Sequence, residues 1–187
     1  VMLVFHIFTT LFFASYGMLN MVYINAVCTA MYVFCLVQVL KNKHMLLVFN
    51  LCYAEIILHA VLEEFFLGVD SGFALYIIAI LPLGYYAAYN FDTRQRKLNP
   101  MIYVFCSTGA FCFTRFVIYH ITPYYTYENK TLDKVMYLVN FFIVVTAIVL
   151  FFSTLLNQIR ALEDLRMHQN KQLEALSKTD SLTGLAN

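Results

Sequence analysis

The chain of 187 residues is 61% hydrophobic and only 12% charged, with a net charge of +1. A soluble domain carries about a quarter charged residues, so that class is excluded and a membrane protein is the first reading. The near-balance of 12 basic against 11 acidic residues gives no footing for nucleic acid, and none is expected as a partner.

Six apolar segments follow one another: Val1 to Ser15, Val22 to Leu40, Met45 to Leu67, Phe73 to Asn90, Met101 to His120 and Val135 to Leu156. Crossing a hydrocarbon core takes about twenty helical residues; the first segment falls short and the fourth is marginal. Val1 already lies inside an apolar run, so the natural N-terminus is expected to precede it. Hydrocarbon tolerates helices because they satisfy their own backbone hydrogen bonds. The expected fold is therefore all-α, a polytopic bundle of six transmembrane helices over residues 1–156, with the lipid bilayer as its first partner.

The loops set orientation. Lys41, Lys43, Arg94, Arg96 and Lys97 fill the second and fourth connections, and Arg160, Arg166, Lys171 and Lys178 follow the sixth segment, so these regions and both termini are expected in the cytoplasm. The opposite connections hold only Lys130 and Lys134 as cations. With no Trp in the chain, Tyr supplies the interfacial belt: Tyr16, Tyr23, Tyr119, Tyr124, Tyr125 and Tyr127 at outer ends, Tyr85, Tyr86 and Tyr89 at an inner one. Pro82 and Gly84 are expected to kink the fourth segment. Cys28, Cys35, Cys52, Cys106 and Cys112 sit inside apolar runs without a Cys-x-x-Cys pair and read as small buried hydrophobes.

The third segment carries Glu55, His59 and Glu63 at intervals of four, within about 80° of one helix face. Ionisable groups in a bilayer seek partners, and Arg115 on the fifth segment is paired in expectation with Glu55 or Glu63. His6 and Asn140 lie near the same depth, which predicts a buried polar cluster in the outer half. Three uses stay open: a structural ion pair, a pocket sensing a small ligand or a proton through His59, and metal or haem ligation by His6 and His59. No metal-binding motif is present and no metal or cofactor is assigned. Asp70 and Ser71 are expected to cap the fourth span.

The sixth span continues without Pro or Gly into residues 157–178, about 33 Å of helix. Phe152, Leu155, Ile159, Leu162, Arg166, Gln169, Leu173 and Leu176 form one seam at steps of three and four; a second runs through Leu155, Gln158, Leu162, Leu165, Gln169, Gln172 and Leu176, pairing Leu165 instead of Ile159 and Leu173. A parallel dimeric coiled coil, and hence a homodimer, is the expectation, in one register or two.

Residues 179–187 close the chain with Asp180, Leu182, Thr183, Gly184, Leu185 and Asn187 in the pattern Asp-x-Leu-Thr-Gly-Leu-x-Asn. Locally this is a helix stop and turn. The pattern resembles the opening of the GGDEF family, the diguanylate cyclase domain, where it joins a signalling helix to the catalytic unit. A fainter resemblance covers Glu55, His59, Leu67, Gly68, Asp70, Gly72, Phe73 and Tyr76, which are similar to a helix and turn in bacterial six-helix inputs to such cyclases; the residue at Val69 is often Trp there. The resemblance implies an input module in a bacterial cytoplasmic membrane that controls formation of cyclic di-GMP from two GTP with Mg2+, the catalytic residues lying beyond Asn187. A passive dimerising anchor and a small six-helix transporter are the alternatives.

Overall fold

The computed structural model describes residues 2–90, 99–126 and 130–177, and every regular element among them is helical. The chain divides into two units, Val1–Val144 and Val145–Asn187.

In the first unit, α1 (Met2–Ser15) and α2 (Leu19–Leu40) form a helical hairpin. Its turn rests on Gly17, whose φ of +70° suits a residue without Cβ. The N–H groups of Gly17 and Met18 take the Ala14 and Phe13 carbonyls at 3.1 and 2.9 Å, so the last turn of α1 keeps its acceptors satisfied. After a turn in which Asn42 and His44 also take positive φ, α3 (Met45–Leu67) runs to Gly68 (φ +94°).

The fourth apolar segment is not one helix. A single 3-10 turn (Val69–Ser71) and Gly72 (φ +82°) lead into α4 (Leu75–Ala79), and α5 (Leu81–Asn90) starts beside Pro82. The expected kink is a division into two short helices, because proline brings no N–H to the ladder and is best tolerated in a helix's first turn. Gly84 then lets α5 approach α6: a Cβ there would stand 2.6 Å from Cβ of Tyr103.

Asn99 caps α6 (Pro100–Phe116), its Oδ1 accepting the Met101 N–H at 3.0 Å, with Pro100 in the first helical position. A 3-10 turn (Ile118–His120) extends that segment. Finally, α7 (Lys130–Ser177) runs unbroken for 48 residues, about 72 Å at 1.5 Å per residue.

Four stretches are apolar and long enough to cross a membrane: Leu19–Leu40, Met45–Leu67, Pro100–His120 and Thr131–Glu174. Met2–Ser15 and Leu75–Ala88 are shorter apolar stretches. Phe8, Val27, Leu58, Phe105 and Phe142 stay largely exposed, as side chains facing lipid do. The interior of the first unit is built on Phe13, Met21, Ala60, Leu67, Phe73 and Ile77.

The described part of the second unit is the later course of α7, where Ile159, Leu162, Leu165 and Leu173 are all exposed. The side chain of Leu176, and all of Asp180, Leu182, Thr183, Gly184, Leu185 and Asn187, lie outside the described residues.

Candidate functional site

Three helices of the first unit bring their polar residues to one place. The i, i+4 spacing on α3 puts Glu55, His59 and Glu63 on one face, and all three are buried. From α1, His6 enters between them at 1% exposure, its ring edge-on to His59 (centroids 4.8 Å) and stacked on Tyr32 of α2 (5.0 Å).

Each member is held by specific partners. Nε2 of His6 lies 3.3 Å from Oε1 of Glu55, Nδ1 of His59 lies 3.6 Å from that same oxygen, and Nε2 of His59 lies 3.0 Å from Oε1 of Glu63. The hydroxyl of Tyr32 donates to the other oxygen of Glu55 at 2.5 Å. Cys28 of α2 brings Sγ to 3.6 Å from Nδ1 of His59.

Asn25 of α2, with no exposed surface, fixes His6. Its Nδ2 donates to the Met21 carbonyl (2.9 Å), so Oδ1 faces the acceptor side and takes both the Thr9 hydroxyl (2.6 Å) and Nδ1 of His6 (3.1 Å). That assignment makes Nδ1 the protonated nitrogen of neutral His6 and leaves a lone pair on Nε2.

The ion-pair distances are short, but the groups are not aligned as hydrogen bonds. Nε2 of His6, Oε1 of Glu55, Nε2 of His59 and Oε1 of Glu63 are all buried without a hydrogen-bond partner. A cavity of about 20 Å3 opens between His6, Glu55, His59, Glu63 and Tyr76. That is room for one water or one small ion. Buried polar atoms without partners are costly, so the arrangement suits an occupant that interacts with several of them at once.

Arg115 and Asn140 stand apart from this cluster. Arg115 of α6 reaches Glu64, its Nη2 3.4 Å from Oε1, and not Glu55 or Glu63 as expected. Glu64 sits one residue on from Glu63, about 100° round the helix, and so faces a different neighbour. The same Oε1 accepts the N–H of Ala74 at 2.8 Å, the service expected of Asp70 or Ser71. Ser71 instead turns its hydroxyl back to the Gly68 carbonyl at 2.6 Å. Asn140 of α7 donates to the Ser71 carbonyl (2.9 Å) and accepts from Tyr76 (3.1 Å), so it pins α7 to the turn after α3.

Thr9, Asn25, Cys28 and Tyr32 are the members that sequence reading missed. All four are set among apolar residues, and only the recurrence of Asn25, Cys28 and Tyr32 at steps of three and four hinted at a shared face. No protein-family model, curated protein or solved structure matches the chain.

Proposed function

We propose that the chain is a membrane-embedded sensory input module that regulates a C-terminal diguanylate cyclase through a dimeric signalling helix. The module crosses a bacterial cytoplasmic membrane six times, α4 and α5 together making the fourth crossing, with both termini in the cytoplasm. Its sensing end is the buried cluster around His59, and a bound small ligand or proton is the stimulus.

The observation that carries this reading is the continuity of α7. One helix holds a strongly apolar stretch and then a polar rod bearing Ile159, Leu162, Leu165 and Leu173 exposed. Ile159, Leu162 and Leu165 at steps of three, with Leu173 two turns further on, left uncovered on a charged rod, are the kind of residue that a second copy covers in a coiled coil. The motif from Asp180 to Asn187 supports the cyclase as output by its resemblance to the GGDEF opening. The mechanism is a population shift: occupancy of the cluster biases how the two rods pair, and hence how often two GTP-loaded cyclase domains meet.

The test uses the full-length protein in lipid vesicles, with single cysteines at Ile159 or Leu165 and cyclic di-GMP formation followed alongside disulfide yield. The expected result is crosslinking between copies at both positions, with a ratio that changes when cyclase activity changes. A protein that forms no cyclic di-GMP under any condition refutes the cyclase reading. Cyclic di-GMP synthesis with a fixed crosslinking ratio identifies a passive anchor.

A further inference from the structure

The geometry points to a binding site for a divalent transition-metal ion of the zinc class, held by Nε2 of His6, Nδ1 of His59, Oε1 of Glu55 and Sγ of Cys28. The inference concerns what the cluster binds and stands independently of any cyclase.

The four residues come from α1, α2 and α3, and each places one ligand atom within 4.8 Å of the others. Around a tetrahedral zinc ion, bonds of about 2.0 Å to N and O and 2.3 Å to S set ligand-to-ligand edges of about 3.3 to 3.5 Å. The edges present are 3.3 Å from His6 to Glu55, 3.6 Å from Glu55 to His59 and 3.6 Å from His59 to Cys28. Three of the six edges therefore already stand near the separation that a shared ion would impose, and the other three, within 4.8 Å, close as the side chains draw in on the ion.

The outer contacts leave the right atoms free. Asn25 takes the Nδ1 hydrogen of His6, Glu63 lies 3.0 Å from Nε2 of His59, and Tyr32 occupies Oε2 of Glu55. What remains on these three residues is Nε2, Nδ1 and Oε1, the atoms that converge with Cys28. Metal-bound histidines almost always have their second nitrogen held by a carboxylate, a carbonyl or water; Asn25 does this for His6, and Glu63 stands within ion-pair distance of His59.

Without an ion the arrangement is poor. Nε2 of His6 and Oε1 of Glu55 face each other at 3.3 Å, both buried and neither hydrogen-bonded. A cation between them gives each atom a bond, and once Cys28 has released its proton to solvent, two neutral imidazoles, one carboxylate and one thiolate neutralise a divalent charge. The mixed nitrogen, oxygen and sulfur set favours zinc and its neighbours over magnesium or calcium, which take oxygen. Four protein ligands fill a tetrahedron, so the ion here clamps α1, α2 and α3 together and leaves no open position for catalysis.

The test is cobalt titration of the full-length protein, purified without a histidine tag, stripped with chelator and held in detergent micelles. Expected are a single Co2+ per chain, visible absorption of tetrahedral strength, a near-ultraviolet thiolate-to-cobalt band, and loss of all three on adding Zn2+. Cys28→Ser should abolish the near-ultraviolet band, and His6→Gln should weaken binding at least about 100-fold. Asn25→Ala, which touches no ion, should weaken it about 10- to 100-fold. Circular dichroism confirms that each variant remains helical, and Cys28→Ser is nearly isosteric should His6→Gln fail to fold. Folded wild type binding far less than one Co2+ overturns the proposal. So does a cobalt spectrum unchanged by Cys28→Ser and His6→Gln, since the ion would then sit on exposed His44, His120 or His168.

Discussion

Arg115 and Glu64 join α6 to α3, Nη2 of the one 3.4 Å from Oε1 of the other, and the same carboxylate oxygen receives the N–H of Ala74 at the start of α4. Glu64 is wholly buried, whereas the Arg115 side chain keeps 31% of its exposure and leans over the ring of Phe111. One carboxylate thus ties three elements together. A fully buried pair loses about 3–5 kcal/mol when one partner is removed, and partial exposure of Arg115 screens part of this. A double-mutant cycle with Arg115→Met and Glu64→Gln, read by thermal unfolding in detergent, should give a coupling of about 1–2 kcal/mol. Additive effects would show that the pair contributes nothing.

Asn25 satisfies Thr9, His6 and the Met21 carbonyl at once. Asn25→Ala leaves Nδ1 of His6 without its partner, while the Thr9 hydroxyl keeps the Phe5 and His6 carbonyls at 3.0 and 3.2 Å, and should lower stability by about 1–3 kcal/mol, the cost of one unsatisfied buried group. An Asn25→Ala variant as stable as the wild type in chemical denaturation would refute the assignment of Oδ1 as acceptor.

Two glycines with similar φ separate backbone strain from crowding. A Cβ on Gly17 (φ +70°) meets open space; one on Gly72 (φ +82°) would lie 2.8 Å from Cδ2 and 3.3 Å from Cα of Tyr137. Gly17→Ala should therefore cost about 1–2 kcal/mol from the left-handed backbone alone. Gly72→Ala should add about 1–3 kcal/mol of overpacking, because a backbone atom cannot rotate away. Equal melting temperatures for the two variants would mean that Tyr137 is not packed on Gly72.

Tyr53 of α3 shares a 2.7 Å hydrogen bond with Ser107 of α6, both buried, and also reaches the Tyr103 carbonyl at 3.3 Å. Tyr53→Phe keeps the ring contacts with Phe49 and Tyr103, so its cost of about 1–2 kcal/mol isolates the hydroxyl. Following it with Ser107→Ala should add little, since the partner is already lost. A second full penalty, read in the same denaturation assay, would show that Ser107 bonds elsewhere.

Much of the helical layout was legible in the residues alone. The spans at Leu19–Leu40, Met45–Leu67 and Pro100–His120 fall close to the runs read from apolar composition, and Pro82 marked the interruption that became α4 and α5. The i, i+4 row of Glu55, His59 and Glu63 likewise announced a buried polar face. Its company was harder to foresee, because His6 and Asn25 are polar residues set among apolar ones, and Glu64, one residue past Glu63, falls off the i, i+4 row.

Composition decides that a segment becomes a membrane-length helix, since in hydrocarbon each helix closes its own hydrogen bonds whatever its neighbours do. Which face meets which partner is another matter: lipid tails are as apolar as leucine, so the apolar residues of these helices leave their rotation unmarked. Only the packed bundle chose Glu64 over Glu63 for Arg115, and only it drew His6, Cys28, Glu55 and His59 from three helices into one spot. Buried polar atoms decide such choices because each must find a partner, and the partners lie far apart along the chain.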